Sequence, residues 1–70
     1  MTDNVHGTVA YWNERDGYGF FAVNDSRDVF FRYEDAENRN KNEIKVGDVA
    51  DFRLYDTPNG RLRARLIVFK

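Results

Sequence analysis

The chain predicts an all-β fold, five short antiparallel strands closed into a small barrel, and three observations predict it. Stretches rich in β-branched and aromatic residues alternate with a period of two. They are separated by clusters of turn-forming residues such as Thr57-Pro58-Asn59-Gly60. The one long polar stretch, residues 34–43, holds no large apolar side chain, so no face exists there to dock a long helix.

The elements follow in order. Residues 5–13 read as a first strand, in which Gly7 signals strong coiling or a bulge. Glu14-Arg15-Asp16-Gly17 supplies a turn, residues 18–23 a second strand, and Asn24-Asp25-Ser26 ends it. A third strand runs from Asp28 to Tyr33. The polar connection 34–43 has room for one helical turn. A fourth strand places Ala50, Phe52 and Leu54 on one face against Val49, Asp51 and Arg53. Pro58 and Gly60 fit the hairpin turn that follows, Pro by its fixed φ and Gly by tolerating positive φ. The fifth strand sets Leu62, Ala64, Leu66 and Val68 toward a core and Arg61, Arg63, Arg65 and Ile67 outward. Barrel closure hides the edges that five open strands would expose.

At 70 residues the chain is read as one domain spanning 1–70, with a small margin of stability. Cysteine is absent and histidine occurs once, so disulfide staples and thiolate zinc sites are excluded, little is left for imidazole ligation, and no metal or cofactor is expected. No Ser-His-Asp or Cys-His set and no Walker-type loop is available, so the chain is not read as an enzyme. No apolar run approaches a membrane span or signal peptide, which leads to the expectation of a cytoplasmic protein with no membrane partner. Net charge is −1, unevenly spread: residues 1–35 hold three Arg against seven acids, and residues 36–70 eight Lys and Arg against five acids. A local basic patch is compatible with that total.

Eleven of the residues are aromatic, and eight of them lie between Tyr11 and Tyr33. Alternation puts Tyr18 and Phe20 opposite Phe21 and Val23, and Phe30 and Arg32 opposite Val29, Phe31 and Tyr33, so both strands are apolar on both faces. Val9, Phe21, Val23, Val29, Phe31, Phe52, Leu54, Leu62, Leu66 and Val68 suffice for the single interior of so small a barrel. The second set is surplus, and beside Arg32 it forms a platform on which bases would stack. Gly17 and Gly19 are expected to keep the backbone clear of a flat ligand.

Tyr11-Trp12-Asn13, then Gly17-Tyr18-Gly19-Phe20-Phe21, then Asp28-Val29-Phe30-Phe31-Arg32-Tyr33 resemble the cold-shock domain and its two ribonucleoprotein motifs. The resemblance continues through Ile44-Lys45-Val46-Gly47, Phe52, Leu54, Gly60, Ala64 and Leu66, essentially the whole chain. It implies a five-stranded OB-fold barrel that binds single-stranded RNA or DNA as an RNA chaperone. It also implies stacking roles for Tyr11, Trp12, Tyr18, Phe20, Phe30 and Tyr33, with Asn13 and Asp28 bonding base edges or fixing their loops. Arg32 takes the place of the family histidine, a flat group of permanent charge.

Ala10 and Asp16 stand where the family carries basic residues, so electrostatic attraction is expected to be weaker. These departures motivate an alternative, a protein-interaction module that kept the barrel and lost nucleic-acid affinity. Oligosaccharide binding on the same face is a further alternative. The oligomeric expectation is a monomer, with weak dimerisation left open.

Overall fold

Alternation, turn chemistry and two bulges together produce a closed barrel, seen in a computed structural model that describes residues 4–23 and 28–70. The strands are β1 (Asn4–Asn13), β2 (Tyr18–Ala22), β3 (Asp28–Arg32), β4 (Val49–Asp56) and β5 (Leu62–Phe69). Their order around the barrel is β1-β2-β3-β5-β4, with β4 returning to β1. The contacts are antiparallel except at the β3–β5 closure, where Phe30 and Arg63 form a parallel bridge. The turn read at Asn24-Asp25-Ser26 lies outside the described residues.

The interior is built on aromatic stacking. Phe31 stacks on Phe21 at 4.2 Å between ring centroids, and Phe21 on Phe52 at 4.4 Å. Val9, Val29, Ile44, Ala50, Ala64, Ile67 and Phe69 complete the buried set. Gly7 lets β1 approach this column: a Cβ there would lie 2.9 Å from the Phe52 ring and 3.2 Å from the Ala22 carbonyl. Gly7 thus marks a close approach, and the bulge in β1 falls between Val9 and Tyr11.

The fifth strand departs from the alternation in its second half. Leu66 and Val68 are exposed, whereas Ile67 and Phe69 are buried, the reverse of the sequence expectation. The cause is a second bulge. Asp51 pairs with Val68 and Arg53 with Arg65, so two residues of β4 span three of β5, and Leu66 adopts φ of 54°. One extra residue inverts every side chain beyond it.

The polar connection contains two single-turn 3₁₀ helices, Tyr33–Asp35 and Lys41–Glu43, where one helical turn was expected. Its lack of large apolar side chains is offset by directed hydrogen bonds. Asn38 donates to the Phe69 carbonyl and accepts from the Phe69 amide, at 2.8 and 2.9 Å. Arg39 donates to the carbonyls of Glu43 and Lys70 and to the Asp48 carboxylate. Ile44 then seals the barrel.

Candidate nucleic-acid interface

The β1 bulge decides which aromatics face outward. Val9 is buried, so strict alternation would bury Tyr11; the extra residue, Ala10, turns Tyr11 out and Trp12 in. Tyr11 then pairs with Phe20 on β2, and Phe20 with Phe30 on β3. The rings of Tyr11, Tyr18, Phe20 and Phe30 form one continuous patch. Tyr11 is 6.0 Å from both Tyr18 and Phe20, and Phe30 is 5.8 Å from both, centroid to centroid. Tyr11 is 45% exposed and the other three are half-buried.

Arg32, opposite Tyr18 on β3, holds its guanidinium carbon 5.7 Å from the Phe30 centroid. Among the described residues it makes no ion pair with Glu34 or Asp35, and Asp35 is engaged by Arg63 and Arg65. Asp28 is exposed at the start of β3 and lines a groove of about 370 Å³ with Phe20, Phe30, Gly60, Arg61 and Leu62. Arg61 therefore faces the aromatic patch. An interaction with the Tyr18 hydroxyl, then partial desolvation, raises the Tyr11 phenol above its ordinary range, so Tyr11 is a neutral ring at physiological pH.

Three of the residues read from the sequence sit elsewhere. Trp12 turns inward and stacks on Phe31 at 5.5 Å with an interplanar angle of 10°, extending the core column. Tyr33 leaves the strand at the first 3₁₀ helix and packs against the core and Gly17, with the Lys41 ammonium 5.4 Å from its ring centroid. Asn13 is committed to the β1–β2 turn. Its Oδ1 accepts from the Asp16 amide at 3.0 Å and its Nδ2 donates to the Asp16 carboxylate at 3.1 Å.

The glycines serve these internal rings. A Cβ on Gly19 would meet the Tyr11 carbonyl, the Trp12 ring and the Phe31 ring, and one on Gly17 would come within 2.7 Å of the Tyr33 ring. They clear space for the protein's own aromatics, and the expectation that they clear space for a ligand is corrected accordingly.

A paired aromatic surface on β1–β3 of a five-stranded barrel, bordered by arginine, invites comparison with known proteins. The family model described as the 'cold-shock' DNA-binding domain matches residues 5–68. The chain belongs to the cold-shock domain family. It is 36% identical over 55 residues to the major cold shock protein of Micrococcus luteus, an alignment covering 77% of this chain and 82% of that one. A solved structure titled drosophila Unr CSD456 superposes with a TM-score of 0.75 at 24% identity, over 97% of this chain. This chain spans 27% of that larger one, and the likeness speaks to the fold. The cold-shock domain is a nucleic-acid-binding family and not a family of enzymes. No helix among the described residues is long and apolar enough to cross a membrane.

Proposed function

We propose that this protein binds single-stranded RNA or DNA by stacking bases on Tyr11, Tyr18, Phe20 and Phe30, with low sequence specificity, and acts as an RNA chaperone in the cytoplasm. The observation that carries the reading is the continuity of the four rings, with the Arg32 guanidinium against Phe30. Every base has a π face, so each stack contributes roughly 1–3 kcal/mol whatever the sequence. Holding strands unpaired by this means needs no chemistry, which suits a stoichiometric monomer. In this reading Asp28 and Arg61, which line the groove beside Phe30, supply polar contacts to a base edge and a phosphate. On the same reading Trp12 and Tyr33, which pack against the core, support the platform from below.

The test is fluorescence anisotropy of a labelled oligothymidine and its ribose counterpart at two salt concentrations, with wild type and Phe30→Ala. An external label is preferable because Trp12, the lone tryptophan, stacks internally. Binding that weakens with salt and falls about 5- to 150-fold in the variant, the equivalent of one stack, supports the function. No binding at about 100 μM protein, the weak end of non-specific affinity, overturns it and favours a protein partner.

A further inference from the structure

The outward face of β4 and β5 carries Arg53, Tyr55, Arg63 and Arg65. Leu54 and Ala64 point toward the core, so alternation turns these neighbours out. Arg53 and Arg65 are directly opposed across the two strands, an arrangement of like charges that destabilises a sheet. It is only partly relieved. Arg65 lies 5.7 Å from the Tyr55 centroid, with its Nε 3.9 Å from Asp35, and Arg63 donates to Asp35 at 3.0 Å. Arg53 has no carboxylate partner among the described residues. Among the described residues Asp35 thus answers two of the three guanidinium groups, and Asp51, on the same face two residues before Arg53, is engaged by His6 and Lys70. Asp56 does not add another carboxylate, because it opposes Leu62, which packs against the core, and so lies on the other face of the strand.

This basic face is continuous with the aromatic patch. Phe30 pairs with Arg63 across the β3–β5 seam. The groove of about 370 Å³ beside Phe20 and Asp28 adjoins one of about 230 Å³ that reaches Thr57, Asn59 and Arg63, and the two share Phe30, Arg61 and Leu62. With neighbouring strands about 4.8 Å apart, β4 lies only roughly 10 Å beyond Phe30.

We propose that the β4–β5 face is a phosphate-binding extension of the aromatic patch. A single strand stacked on the rings of β1–β3 crosses the seam past Arg61, and its phosphodiester groups then engage Arg53 and Arg65. The proposal rests on the stacking function above and adds a direction and a footprint to it. Tyr55 positions Arg65, and the unfavourable opposition of Arg53 and Arg65 is resolved when an anion lies between them.

The test compares oligothymidines of about four and about ten nucleotides, within the range that one OB fold covers. Affinities are measured over a salt series for wild type, Arg53→Gln/Arg65→Gln and Arg53→Lys/Arg65→Lys. With the longer strand, the Gln pair is expected to reduce the salt slope by about 1.4, or about 0.7 per phosphate contact, and the Lys pair to restore it. The shorter strand is expected to bind all three alike. An unchanged slope with the longer strand overturns the proposal and leaves the stacking function standing. So does equal loss at both lengths, which would assign the arginines to the general field of the molecule. Wild-type protein that binds neither strand overturns both readings. Arg53→Gln alone, which gives up no ion pair among the described residues, carries the same test with a slope change of about 0.7.

Discussion

Leu66 shows how much one residue can store and redirect. Its φ of 54° lies in the left-handed region, which costs an L-residue roughly 1–2 kcal/mol, and its side chain is 49% exposed, so little burial offsets the strain. Asparagine tolerates that region better, and Leu66→Asn is expected to gain about 0.5–1 kcal/mol, read as a melting temperature a few degrees higher. A lower melting temperature would show that Leu66 makes apolar contacts worth more than its strain. Gly19 presents the opposite case. A methyl group there would press on the Tyr11 carbonyl and on two stacked rings, so Gly19→Ala is expected to cost about 2–3 kcal/mol, the upper part of the usual range for overpacking. Red-shifted Trp12 emission should accompany that loss, since Trp12 is one of the displaced rings. For Tyr11, a phenol pKa raised in the fold means that the associated stability is fully present below the unfolded phenol pKa. It is lost as pH rises through the folded value, so stacking by Tyr11 should be constant across the neutral range.

The β1–β2 hairpin is the element on which the site depends, and it separates charge from structure. Ala10 is the extra, exposed residue of the bulge, beside Tyr11, so Ala10→Lys adds a cation next to the aromatic patch at an exposed position. Its expected result is tighter oligonucleotide binding with a salt slope steeper by up to about 0.7, at unchanged melting temperature. Asp16→Lys should change affinity in the same direction but lower stability by about 0.5–1.5 kcal/mol, because it removes the acceptor of the Asn13 amide. Equal melting temperatures for the two variants would contradict the role given to Asn13. The strands and the outward Tyr18, Phe20 and Phe30 were legible because β2, β3 and β4 keep strict alternation. The fates of Trp12, Ile67 and Phe69 were not, since each lies just beyond a bulge and neither bulge carries a glycine to announce it. Ala10 and Leu66 are ordinary strand residues by type. The hydrogen bonds of Asn38 and Arg39 were equally hidden, because a polar loop gives no sign in sequence of which backbone groups it will meet.

At the scale of the molecule, a chain of 70 residues is expected to have about 4–10 kcal/mol of stability, and a ligand competes on the same scale. Free oligonucleotide at 100 times its dissociation constant adds about 2.7 kcal/mol to the folded state. For a domain of this size that amounts to a rise in melting temperature of about 10–20 °C. The aromatic patch and the core share β1, β2 and β3, so ordering the patch from outside and holding the Trp12–Phe31–Phe21–Phe52 column from inside are coupled through the same strands. The rise should therefore be saturable, should shrink as salt raises the dissociation constant, and should be largely lost in Phe30→Ala. A protein partner held by apolar contact would give a rise that salt leaves unchanged or enlarges. A melting temperature indifferent to oligothymidine at any salt, in a protein that melts cooperatively, would mean that the rings of β1–β3 are not a nucleic-acid surface in this chain.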